Sequence, residues 1–148
     1  MTTIYKATDL RSIGLGAVAT KTDTLTNATA SLFTIAGGLV AVSFIVGRAT
    51  VAITVANTYK LQHNPTAGTT KDLCASADIG TTDTVLGEVF VITGLSTDAI
   101  ALGSKGVKAP YTLLETGDIE RVSSGTDGEI KWYVGWVPVD DGATLVAA

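Results

Sequence analysis

The chain reads as a succession of short segments in which apolar and polar residues alternate, separated by Gly, Asp-Gly and Asn-Pro turns. A period of two sends successive side chains to opposite faces of a strand. The convincing pattern begins at Ser31. Residues 31–36 predict a first strand, Gly37-Gly38 a turn, and residues 39–46 a second strand. In that second strand Val40, Val42, Phe44 and Val46 point one way and Leu39, Ala41, Ser43 and Ile45 the other, so both faces read as buried. Gly47-Arg48 breaks the run, and residues 50–55 follow as a half-exposed strand. Residues 58–63 predict a strand closed by Asn64-Pro65, and residues 72–77 fit either a helical turn or a short strand. Residues 85–93 give a strong strand containing Phe90, with weaker ones at 99–102, 111–114 and 118–123. The stretch 124–128 ends in Asp-Gly and predicts a hairpin into residues 129–139. There Ile130, Trp132, Val134 and Trp136 share one face, Lys131, Tyr133 and Val137 the other, and Pro138 closes the strand or marks it as an edge.

No stretch sustains a helical period. Many short strands at close spacing predict one all-β domain, a jelly-roll or β-sandwich or a barrel, over residues 31–148. Residues 1–30 are Thr-rich with little periodicity and are expected to form an extended N-terminal arm, although Ile4, Leu10, Ile13, Leu15 and Val18 supply some apolar surface.

Composition narrows the function classes. Charged residues make up 16% of the chain, against about 25% in an average globular protein, so the surface is rich in Thr, Ser, Gly and Ala and poorly defended against self-association. The net charge is −4 and the ten basic residues form no patch, which argues against direct nucleic-acid binding. The longest apolar stretch, residues 32–46, is short of the roughly 20 residues a membrane helix needs and is broken by Gly37-Gly38. A lone Cys74 makes no internal disulfide, which suits a reducing compartment, and the N-terminus lacks the apolar core of a signal peptide. Synthesis and folding in a cytoplasm are expected.

The chemistry-bearing residues read as structural. His63, the single imidazole, sits beside Asn64-Pro65 and reads as exposed or turn-packed. Cys74 has no CxxC partner and reads as a small buried hydrophobe. Asp140-Asp141-Gly142 lacks the spacing of a calcium loop and reads as a turn. Glu115, Asp118 and Glu120 border a strand and read as solvated carboxylates rather than a glycosidic pair. Gly14 and Gly16 match only part of a dinucleotide loop. Trp132, Trp136, Phe44 and Phe90 are the candidate core or interface anchors, and a sugar-binding shelf on Trp132 or Trp136 is the competing use of the indoles. Neither catalysis nor a cofactor or metal is expected.

Three stretches resemble small structural proteins of tailed bacteriophages, the capsid decoration or head cement proteins. They are LFTIAGGLV at 32–40 with IVG at 45–47, KLQHNPT at 60–66 with TTKDLCA at 69–75, and IKWYVGWVPVDDGA at 130–143 with the Val-Ala-Ala end. The resemblance implies a β-rich protein that binds the outside of the phage head as a homotrimer and clamps copies of the major capsid protein. It implies a place on the virion surface, with no membrane and no direct nucleic-acid contact. A tail-tube protein that closes into rings by strand pairing is one alternative; a carbohydrate-binding β module is the other.

Overall fold

The computed structural model describes residues 16–92, 97–102 and 111–148, and among these it contains no helix. Twelve strands form two antiparallel sheets. In chain order they are β1 (Ala17–Thr24), β2 (Ala28–Ala36), β3 (Val40–Val51), β4 (Thr58–Pro65), β5 (Lys71–Asp72), β6 (Ala77–Asp78), β7 (Val89–Val91), β8 (Ala101–Leu102), β9 (Thr112–Leu114), β10 (Gly117–Ser123), β11 (Glu129–Pro138) and β12 (Thr144–Ala147). The first sheet runs β1-β11-β3-β7-β8, with β9 also on β3. The second runs β12-β2-β10-β4-β5, with β6 also on β4. The long strands divide evenly between the sheets, β1, β3 and β11 in one and β2, β4 and β10 in the other.

The inward faces form one apolar core. Trp132 of β11 stacks on Tyr59 of β4 across the gap between sheets, with centroids 6.0 Å apart and planes at 12°. Leu32, Phe33, Ile45, Leu61, Phe90 and Ile119 fill the space around the stack. Two charged residues share this interior. Arg121 on β10 donates from Nε to Asp23 Oδ2 of β1 at 2.9 Å, and both side chains are buried. Its Nη1 donates to the carbonyls of Thr26 and Ala28 at 2.6 and 2.7 Å, and its Nη2 to Thr26 Oγ1 at 2.7 Å. One guanidinium thus ties the second sheet to the edge strand of the first and to the turn between β1 and β2. Burial pushes the Asp23 carboxyl upward, and the Arg121 charge pulls it back without cancelling the effect. On the same edge Lys21 donates to the carbonyls of Ser31, at 3.3 Å, and Ala148, at 2.5 Å.

Several sequence expectations are corrected. Residues 17–30 are not an arm: β1 pairs with β11 over its whole length, from Ala17↔Trp136 to Thr24↔Glu129, and β2 starts at Ala28. Residues 1–15 of the expected arm lie outside the described residues. The break expected at Gly47-Arg48 is absent, because β3 runs through it. Gly47 is there to make room: a Cβ would lie 2.9 Å from the Trp132 ring and from Ile130 Cγ2. The alternation expected through residues 39–46 changes phase at Ser43, a bulge between Val42↔Trp136 and Phe44↔Gly135. Val40 and Val42 face the core together with Ile45, whereas Phe44 and Val46 turn outward.

The stretch 124–128 is not a hairpin, since β10 and β11 belong to different sheets. It is held as a crossing by Asn57, whose Oδ1 accepts from Ser123 Oγ and from the amides of Ser124 and Gly125. Asp127 fixes its far end by accepting from the Thr54 amide and hydroxyl at 2.6 and 2.9 Å. The strand expected over 85–93 shrinks to β7, because Gly87 at φ +90° makes a turn in which the Glu88 amide donates to the Val85 carbonyl. Residues 72–77, left open by the sequence, hold the end of β5 and the start of β6.

The loop after β6 carries a pH dependence. Asp78 accepts from the Thr81 hydroxyl and from the amides of Gly80, Asn57 and Thr81, at 2.9 to 3.0 Å for the three amides. These bonds, the Thr81 hydroxyl foremost, hold its carboxyl well below the usual carboxylate range. A depressed value in the folded state means a contribution that is present above the unfolded value, about 3.9, and lost as pH falls through the folded one. Asp78→Asn is expected to flatten the fall in melting temperature between about pH 4 and pH 2 relative to the unsubstituted protein. Thermal melts across that range check it.

Candidate docking face

The four aromatic anchors separate into two environments. Trp132 and Phe90 are buried at 0% and 1% exposure, both opposite Gly47 in the first sheet. Trp136 keeps the inward phase of Trp132 and packs half-buried against the same core. Phe44, displaced by the Ser43 bulge, lies on the outer surface, where its ring rests on Gly135. A Cβ at Gly135 would come within 2.2 Å of Phe44 Cε1. A sugar shelf on Trp132 is therefore excluded, because no surface of its indole reaches solvent. The Trp132 Nε1 and the Tyr59 hydroxyl are both buried within the stack.

The two sheets present unlike outer faces. On the second, Asp118 accepts from Ser31 and Thr34 hydroxyls at 2.7 and 2.8 Å, and Glu120 accepts from Gln62 and Asn64 amides at 2.7 and 3.0 Å. Lys60 pairs with Asp72 at 2.7 Å beside them. Asp118 and Glu120, two of the three carboxylates weighed in the sequence for glycosidic chemistry, are thus engaged in a polar ladder between neighbouring strands, whereas Glu115 is exposed outside it.

The outer face of the first sheet is apolar over most of its height. Register places Val18, Gly135 and Phe44 in one row and Thr20, Tyr133, Val46 and Val91 in the next. Val137, Ala41 and Leu113 form the row on the other side. Val18 and Leu113 are exposed, and Phe44, Val46, Val91, Tyr133 and Val137 are half-buried. Charge enters at one end, with Arg48 and Lys131 side by side and Lys131 Nζ 5.6 Å from the Tyr133 ring centre. Glu129, one row further, is occupied by the hydroxyls of Thr24 and Thr50 at 3.2 and 2.7 Å.

The remaining residues singled out by sequence lie apart from this face. His63, expected as exposed or turn-packed, is buried on the inward face of β4, where its Nε2–H donates to the Glu115 carbonyl at 3.0 Å. Cys74 is buried, its sulfur accepts from the Leu61 amide at 3.3 Å, and burial pushes the thiol up, away from nucleophilic use. Asp140 accepts from the Leu39 amide at 2.7 Å and so closes the turn before β12. Gly14 lies outside the described residues. Gly16, at φ +76°, opens β1. A cleft of about 610 Å³ opens between β3 and β9 on one side and β4 and β5 on the other, with Val42, Ile45, Leu73 and Leu114 among its walls, and it meets the outer face of the first sheet at Phe44 and Leu113. Among the described residues, no group of three or more His, Cys, Asp and Glu side chains is placed to hold a metal ion.

The sequence marks Phe44 as a core or interface anchor without deciding between the two, and it does not single out Val18, Val46 or Leu113. The outer face emerges only when the bulge at Ser43 sets the phase of β3. No protein-family model, no curated protein and no solved structure matches the chain.

Proposed function

We propose that this protein is a virion structural protein of the capsid decoration class, a homotrimer that binds the outer surface of a phage head and stabilises contacts between copies of the major capsid protein. The order of the strands is the observation that carries the reading. Taken without β6, β8, β9 and β12, β1-β11-β3-β7 face β2-β10-β4-β5, with successive strands in alternate sheets except at β4 and β5, which are neighbours. We read this as a jelly roll flanked by β12, an architecture used by viral capsid and lectin domains. The three stretches that resemble decoration proteins contribute β5 and parts of β2, β3, β4 and β11, five of the eight strands in this order. A protein that binds the assembled shell and not its separated subunits stabilises the shell by mass action, and three linked copies multiply modest contacts through effective concentration.

Binding to isolated, expanded shells that lack the protein tests the reading. Purified protein is expected to sediment with the shells and to raise the temperature at which they disrupt, saturating at a fixed ratio of copies to capsid subunits. Protein that stays in the supernatant at micromolar concentration would overturn it.

A further inference from the structure

We infer that the outer face of the first sheet is the surface through which one copy of this chain contacts another. The inference deepens the self-assembly part of the proposed function and is independent of the capsid part. Three features of the face favour a second copy as its occupant.

The first is the contrast between the two outer faces. The polar side chains of the second sheet bond to each other across strands, so that face is already satisfied towards water. The first sheet instead turns Val18, Phe44, Val46, Val91, Tyr133 and Leu113 outward in adjoining rows. A contiguous patch of this kind marks an interaction surface.

The second is area. The residues of β1, β11, β3, β7 and β9, each taking about 3.3 Å along its strand and about 4.8 Å across it, give a face of roughly 570 Å². Covered by a second copy, it removes about 1,100 Å² in total, which clears the roughly 1,000 Å² expected of a specific interface.

The third is the placement of charge. Arg48 and Lys131 sit together at one end of the face, and Glu129 beyond them is held by Thr24 and Thr50. The apolar rows are therefore free of unpaired charge and can be desolvated cheaply. The two cations stand at the rim, where an interface tolerates polar groups.

Light scattering and sedimentation velocity on the unsubstituted protein and on Val18→Asp and Leu113→Asp test the inference. Both positions are already exposed, so a carboxylate there is solvated in the single copy and buried unpaired only in the assembly. The unsubstituted protein is expected to run as an oligomer at micromolar concentration. Each variant is expected to raise the dissociation constant by about 100-fold or more, with an unchanged β spectrum and melting transition at matched monomer concentrations. Val18→Thr, similar in shape and uncharged, is expected to keep most of the association. A monomeric unsubstituted protein overturns the inference, and so does an oligomer whose mass is untouched by both carboxylates. Variants that become monomeric yet still bind capsid shells support this inference and leave the capsid reading standing. Oligomers that do not bind shells support it and remove the capsid reading.

Discussion

Trp132→Ala is expected to lower folding stability by about 3–5 kcal/mol. The indole has no exposed surface, its six-membered ring lies over Gly47, and its face stacks on Tyr59 from the opposite sheet. Truncation removes the transfer energy of the largest side chain in the core and leaves a cavity that the neighbours cannot collapse into. Gly47 has no side chain to move, and the position of Tyr59 is fixed by β4 pairing with β10. The aromatic pair itself contributes about 0.5–1.5 kcal/mol of the loss. Domains of this size have roughly 5–15 kcal/mol in total, so the variant is marginal. Trp136→Ala is the internal control. It shares the strand and the phase but is only half-buried, and its cost is expected to be clearly smaller. Urea unfolding followed by circular dichroism checks both, and equal costs would contradict the assignment of Trp132 as the central anchor.

Arg121→Met is expected to cost a similar amount, about 3–5 kcal/mol, for an electrostatic reason. The guanidinium is buried and makes four hydrogen bonds, to Asp23, to the carbonyls of Thr26 and Ala28, and to the Thr26 hydroxyl. Without it the Asp23 carboxylate is left buried with its principal partner gone, and two carbonyls lose a donor. Burial already raises Asp23, and removal of the guanidinium raises it further. A carboxyl raised in the folded state destabilises that state when ionised, and the penalty is relieved as pH falls through the folded value. The deficit of Arg121→Met relative to the unsubstituted protein is therefore largest near neutral pH and shrinks on acidification. Asp23→Leu combined with Arg121→Met is expected to recover part of the loss, because no unpaired charge remains. Denaturant titrations at neutral and mildly acidic pH measure both effects.

How much of this was legible in the sequence depends on what alternation encodes. A period of two fixes which residues share a face, and in β11 it correctly groups Ile130, Trp132, Val134 and Trp136. It does not encode which strand lies alongside. The Asp-Gly stretch before β11 has the composition of a hairpin turn, yet it carries the chain between sheets because Asn57 and Asp127 hold it there. Bulges are equally silent: Ser43 adds one residue to β3, and that single addition takes Phe44 off the inward phase of Val40 and Val42 and onto the outer face. Gly47 looks like a break in one dimension and is a seat for an indole in three. Asp23 and Arg121 lie 98 residues apart, and each alone reads as a surface charge. One signal was available, since Arg121 has the same phase as buried Ile119 and a charge at an inward position needs a partner. Strand alternation in residues 17–24 was also present, but Thr, Lys and Asp at most positions made it too faint to separate from a loop.

Electron microscopy of virions that carry this chain tests the central claim most directly. The account predicts density matching a β-sandwich on the outer surface of the head, in groups of three at the junctions between capsomers. Density confined to the tail, or stacked in rings along it, would contradict the account.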